Sequence, residues 1–328
     1  MKALITGATG FIGRRLMREG DRALVRSPHP RPLSQRERGV PSPPTPLPVR
    51  EGSALTPNPS PTGRGEVVVG DLLDPASLAR ACEGIETVFH CAGLADADTR
   101  DEALLWRVNV EGTKNLLEAA GRAGVRRFVF FSSVKAMAEP GDECPDEDWP
   151  GEPATSYGRA KRAAEAAVFE AGTRWGMHLV SLRLAVVYGR GNRGNLWKMA
   201  QAVKKGWFPP LPETGNRRSL VHVDDVVAAA RRVAEDPRAN GRTYIVADPR
   251  PYSTREIYDA MRGALGLPPI QWAVPQGAIR LVGLMGRRGR ALVDRLLGSA
   301  CYSPARIEAE LGFRAQIGLG DGLREMLG

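Results

Sequence analysis

Residues 2–13 read KALITGATGFIG. The apolar run at 2–6 has the length and side chains of a short buried strand. Glycines follow at 7, 10 and 13, and helical spacing resumes from residue 11 to about 19. Each glycine has a different duty in a strand–turn–helix unit. Gly7 permits the tight turn. Gly10 lets a pyrophosphate approach the backbone. Gly13 lets the helix pack close to the sheet. Free N–H groups and the positive end of the helix then face the phosphates, with Phe11 and Ile12 in the same turn. Three glycines alone are weak evidence, but directly after an N-terminal strand they predict a dinucleotide-binding unit.

Outward from this turn, strand and helix alternate. RALVR (22–26), EVVVGDLLD (66–74), ETVFH (86–90), RRFVFFSS (126–133) and MHLVSLRL (177–184) read as strands. Amphipathic helices are expected over 100–123 and 155–175. This alternation predicts a parallel sheet with helices on both faces. One stretch breaks the pattern: residues 27–65 hold 11 of the chain's 26 prolines. Proline bars helix interiors and central strands, and few large apolar side chains are present to offset ordering. A disordered insertion with two imperfect copies of one unit, PLSQRERG and NPSPTGRG, is expected there. After residue 185 the pattern turns irregular and helix-rich. The expected division is a dinucleotide-binding domain over 1–184 and a mainly substrate-binding lobe over 185–328, with about 219–250 returning to the sheet.

Composition sets further bounds. The 328 residues are 42% hydrophobic and 25% charged, which is ordinary globular usage. No apolar run spans a bilayer, which needs about 20 residues. The chain opens on the glycine motif rather than on a signal peptide, so a cytoplasmic protein is expected. Net charge is +9. No nucleic-acid motif accompanies it, so anionic small ligands are the expected partners. Cys82, Cys91, Cys144 and Cys301 lack paired metal-ligand spacing; buried thiols and no metal are expected. Residues 276–297 form an apolar, basic, amphipathic stretch for which core packing is favoured over a membrane surface or a subunit.

Ser156-Tyr157-Gly158-Arg159-Ala160-Lys161 places a tyrosine and a lysine one helical turn apart, on one face. A free phenol titrates near pH ~10, and bringing it to neutrality takes roughly 4 kcal/mol of phenolate stabilisation. An ammonium one turn away supplies much of that. Ser132 and Ser133 end the central strand and offer a hydroxyl for the substrate oxygen. Arg26 closes the second strand, where an adenine ribose would lie. An acid there suits a 2′-hydroxyl, whereas an arginine suits a 2′-phosphate.

The spacing G-x-x-G-x-x-G, the Y-x-x-x-K pair and FFSSVKAM together resemble the extended short-chain dehydrogenases/reductases of the NAD-dependent epimerase/dehydratase family. The resemblance covers nearly the whole chain outside 27–65. It implies the α/β class: a Rossmann-type doubly wound parallel sheet with a smaller C-terminal substrate-binding lobe. It makes Ser133, Tyr157 and Lys161 catalytic, with Ser132 in reserve. It assigns NAD(P) binding, leaning to NADP, to Gly7, Gly10, Phe11, Ile12, Gly13, Arg26, Asp71, Leu72, Cys91, Ala92, Gly93, Asn109, Tyr157 and Lys161. It implies a nucleotide-diphosphate sugar as substrate, held by Ser133, Asn195 and Arg218, the last from the segment RSLVHVDD (218–225). It also implies a homodimer. Asp224 and Asp225 are expected to cap the next helix, and His222 to be a packing residue.

Two positions depart from the nucleotide-sugar pattern: Val186 replaces an asparagine, and Ala95 replaces a lysine. Val134 and Lys135 stand where dehydratases carry an acidic pair, which argues against dehydration. Epimerisation or 4-keto reduction is therefore expected. Reduction of a non-nucleotide ketone or aldehyde, and a non-catalytic scaffold or sensor, are the alternatives.

Overall fold

The computed structural model describes residues 2–26, 65–95 and 101–328. The proline-rich insertion expected over 27–65 lies outside the described residues, apart from its final residue. Nine strands are present among the described residues: β1 (Ala3–Thr6), β2 (Arg22–Val25), β3 (Glu66–Val69), β4 (Thr87–His90), β5 (Arg127–Ser133), β6 (His178–Leu184), β7 (Val186–Tyr188), β8 (Leu220–His222) and β9 (Arg242–Val246). Seven of them form one sheet in the order β3-β2-β1-β4-β5-β6-β9. Every pairing in it is parallel. The order reverses direction between β1 and β4. A doubly wound sheet opens a crevice at such a point, at the carboxyl ends of its strands. The short pair β7–β8 forms a second, parallel sheet.

The helices are α1 (Gly13–Leu16), α2 (Pro75–Cys82), α3 (Glu102–Trp106), α4 (Gly112–Arg122), α5 (Ser156–Trp175), α6 (Asn195–Lys204), α7 (Val223–Glu235), α8 (Thr254–Ala264), α9 (Gln276–Gly283), α10 (Arg287–Leu297), α11 (Ala305–Leu311) and α12 (Leu319–Leu327). Side chains alternate across a strand, and the core divides accordingly. Ala3, Ile5, Phe89, Val129 and Phe131 face one layer together with Val226, Ala229 and Val233 of α7. Leu4, Val88, Phe128 and Phe130 face the other, against α2, α4 and α5. A third apolar cluster, built on Tyr188, Tyr252, Tyr258 and Leu323, forms the core of the C-terminal part.

Four sequence expectations are corrected. The helix over 100–123 is continuous from Glu102, but a π turn at Arg107–Glu111 separates α3 from α4. The amphipathic stretch 276–297 is two helices, broken at Gly286, whose φ of 90° only glycine tolerates easily. Asp224 and Asp225 do not cap α7. His222 is the N-cap and accepts the Asp224 N–H at 3.3 Å. The two acids occupy the first turn, where the helix dipole favours them. Asp225 accepts the N–H groups of Gln316 and Ile317 at 2.9 and 3.0 Å, and Asp224 pairs with Arg15 at 2.6 Å. Finally, Cys144 and Cys301 are a disulfide rather than two thiols. A separation of 157 residues hid the pair from any spacing argument.

Candidate active site

At the crevice, the loops after β1, β2, β3 and β4 enclose a cavity of about 310 Å³. Gly7, Gly10, Arg26, Asp71, Leu72, Cys91, Ala92 and Gly93 line it, together with Thr9, Leu24, Gly70, Leu94 and Val108. The floor is backbone. Gly7 has φ 70°, and a Cβ there would lie 2.8 Å from the Ala92 nitrogen. A Cβ on Gly13 would strike the Gly7 carbonyl, so α1 can start only on glycine. Phe11 and Ile12 belong to the turn without lining the cavity, and Ile12 packs on the core.

A chain of directed hydrogen bonds holds the wall after β4. Thr6 Oγ1 accepts the Ala92 N–H at 3.2 Å and lies 2.7 Å from His90 Nδ1. His90 Nε2 then donates to Thr113 Oγ1 at 2.9 Å, and Thr113 donates to the Asn109 carbonyl at 2.7 Å. In a neutral imidazole with its proton on Nε2, Nδ1 accepts the Thr6 hydroxyl. Burial, with Lys161 nearby, pushes the His90 pKa down to about 3. Asn109 sits in the π turn. Its amide closes a two-way clamp on Leu94, accepting the N–H and donating to the carbonyl, both at 2.8 Å. It therefore stands behind the wall and fixes it. Sequence reasoning missed Thr6, His90 and Thr113 as its supports; a histidine ending an apolar strand opposite a threonine was the available signal.

At one edge of the cavity, Arg26 Nε donates to Asp71 Oδ2 at 2.7 Å. A cation and a carboxylate thus share this edge of the cavity. At the other end, Thr155 caps α5, its Oγ1 accepting the Gly158 N–H at 3.0 Å. A Cβ on Gly158 would collide with the Lys135 carbonyl, so the first turn of α5, which carries Tyr157, presses on the turn just after Ser133. Lys161 is buried and donates to the Phe131 carbonyl at 2.8 Å, over the Phe130 ring. A methyl on Gly93 would lie 3.7 Å from its Nζ and 2.9 Å from Asn109 Oδ1. Lys161 therefore bridges the strand bearing the serines and the wall of the cavity. Burial lowers its pKa to about 8, opposed by the nearby Cys91 and Glu165. Ser133 Oγ accepts the Lys135 N–H at 3.2 Å, which leaves its proton for another acceptor. Ser132 Oγ is buried and finds no hydrogen-bond partner among the described residues.

Asn195 and Arg218 do not line the cavity. Asn195 is the first residue of α6. Arg218 donates from Nε to Thr254 Oγ1 at 3.1 Å and from Nη2 to the Asp294 carbonyl at 3.2 Å. Burial lowers its pKa, so an anion beside it would be favoured.

A model of the NAD dependent epimerase/dehydratase family matches residues 3–247. The chain belongs to that family. It is an enzyme of the extended short-chain dehydrogenase/reductase type. The UDP-glucose 4-epimerase of Vibrio cholerae is 31% identical over 268 residues, 78% of this chain and 80% of that one. A 3 beta-hydroxysteroid dehydrogenase/Delta 5-->4-isomerase of Mycobacterium tuberculosis is 30% identical over 275 residues, 76% of this chain and 74% of the relative. Among solved structures, the UDP-glucose 4-epimerase of Thermus thermophilus in complex with NAD superposes with a TM-score of 0.68 at 26% identity, covering 99% of this chain and 97% of that one. No helix among the described residues is long and apolar enough to cross a membrane.

Proposed function

We propose that this enzyme interconverts or reduces nucleotide-diphosphate sugars at a ring hydroxyl, with NAD(P) in the cavity between β1 and β4. The supporting observation is the position of Lys161, held on the strand of the serines and against Gly93 of the cavity wall. The glycine floor and the clamped 91–94 wall support dinucleotide binding: a Cβ at Gly7 would strike the Ala92 backbone and one at Gly93 the Asn109 amide, so either would displace the wall. When bound, the nicotinamide supplies a hydride acceptor and donor. The protein's own groups move the proton. Tyr157 takes it from the substrate hydroxyl at the phenolic oxygen. The Lys161 ammonium, charged below pH about 8, stabilises the phenolate. Ser133 donates to the substrate oxygen, and Ser132 is its reserve. Asn195 and the desolvated Arg218 bind the substrate diphosphate, for which a guanidinium fork is suited. The Arg26–Asp71 pair selects the cofactor: its carboxylate suits the 2′-hydroxyl of NAD and its guanidinium the 2′-phosphate of NADP, with a lean to NADP. A homodimer is part of this reading.

A second reading, reduction of a non-nucleotide ketone, draws on Val186. That side chain is exposed where nucleotide-sugar enzymes hold an asparagine, and the steroid dehydrogenase relative points the same way. A thermal-shift screen separates the two. UDP-sugars raising the melting temperature in the presence of NAD or NADP support the first reading. Stabilisation by either cofactor with no response to any nucleotide sugar overturns it in favour of the second.

A further inference from the structure

The bend of the α9–α10 hairpin exposes apolar side chains that the amphipathic pattern places in a core. Ile279 is buried, but Leu281 in the last turn of α9 and Leu284 and Met285 between the two helices are 64%, 80% and 79% exposed. Arg280 and Arg290 flank the tip and are exposed as well. The sequence over 276–297 holds five arginines and one aspartate. Trp272, just before the hairpin, is also largely exposed. An apolar wedge at a bend, flanked by the exposed Arg280 and Arg290 and preceded by a tryptophan, has the chemistry of an element that lies in the headgroup layer of a bilayer.

We infer that the α9–α10 hairpin docks on an anionic membrane surface, with Leu281, Leu284 and Met285 entering the acyl boundary and Arg280 and Arg290 meeting lipid phosphates. Charge decides the occupant. A second copy would bring two arginine-rich tips together, and three side chains are too few for a stable protein interface, which buries about 800 Å² per partner. Anionic headgroups complement the charge and accept the apolar tip at once. The docked face belongs to the part of the chain that holds Arg218, because the Asp294 carbonyl of α10 accepts from that guanidinium. The inference does not depend on which substrate is used.

Flotation of the full-length protein with vesicles tests it. Binding is expected to vesicles containing phosphatidylglycerol, at least tenfold weaker binding to pure phosphatidylcholine, and loss at about 1 M salt, where charges are screened within roughly 3 Å. Leu284→Asp with Met285→Asp, and separately Arg280→Glu with Arg290→Glu, should each lower the bound fraction at least tenfold. Unchanged melting temperature and NADH binding would show that the fold is intact. No binding by the wild-type protein, equal binding to both vesicle types, or variants that bind like wild type would overturn the inference. So would a concentration-dependent dimer that the Leu284/Met285 variant abolishes, since it would identify a second copy as the occupant.

Discussion

The crevice at β1–β4 and the C-terminal part of the chain are held together by different means. Around the crevice, polar side chains clamp backbone: Thr6 on Ala92, Asn109 on Leu94, Lys161 on Phe131, all over glycines that admit no Cβ. In the C-terminal part, distant segments are tied by charge and by a covalent bond. Arg15 joins Asp224 and Glu325, Arg306 joins Glu147 and Asp148, and Cys144 joins Cys301. The clamps leave the wall one geometry, as a proton and hydride transfer between fixed atoms requires. The ties hold a region whose surface is otherwise open, including the apolar tip of α9–α10. On the proposed function, chemistry is set by the first region and the choice of substrate by the second.

The largest expected effect is on the ties. The disulfide closes a loop of about 157 residues, for which chain entropy allows up to about 5 kcal/mol. Reduction, or Cys144→Ser, should lower the melting temperature by several degrees while NADH binding persists. A thiol assay under denaturing, non-reducing conditions should find only Cys82 and Cys91, which burial keeps as inert thiols. Four thiols would break this side of the comparison.

Asp248 tests the same region through pH. Burial, reinforced by Asp225, pushes its pKa up to about 7. The folded state then holds a proton that the unfolded chain releases near pH ~4, so stability falls as pH rises from there to about 7. Asp248→Asn should melt higher than wild type at pH 8, by at most about 4 kcal/mol, and equal it near pH 4. A constant difference across that range would contradict the assignment.

The crevice gives smaller but sharper effects. Ser133→Ala should lower kcat roughly 10²-fold, with Ser132→Ala near wild type; the reverse order would move the catalytic hydroxyl to the buried Ser132 oxygen. Asn109→Ala leaves the N–H and carbonyl of Leu94 without their clamp. It should cost about 2 kcal/mol, seen as weaker NADH binding measured by fluorescence at an unchanged kcat under saturation.

The crevice was also the more legible region. KALIT, ETVFH and RRFVFFSS are short apolar runs bounded by glycine or charge, and a parallel sheet buried on both faces needs such runs. The glycines and the Y-x-x-x-K pair are local in sequence, so spacing alone marks them as candidates. The π turn was not legible, because it changes the ladder without changing the apolar period. The cap by His222 was hidden by two acids that are better known as caps. The disulfide and the Arg15 cluster join residues far apart in the chain, and no local pattern announces them. The tip of α9–α10 has the periodicity of a packed helix, yet nothing among the described residues buries it.

Deuterium tracing with Tyr157→Phe as control tests the central claim most directly. A UDP-hexose labelled at C4 is incubated with the NAD(P)-loaded enzyme, and the product is read by mass and NMR. Turnover with the label retained in the product or captured by the cofactor, slowed about 10³-fold by Tyr157→Phe with NADH affinity unchanged, is the expected result. Label lost to solvent, or a Tyr157→Phe variant as fast as wild type, would contradict it.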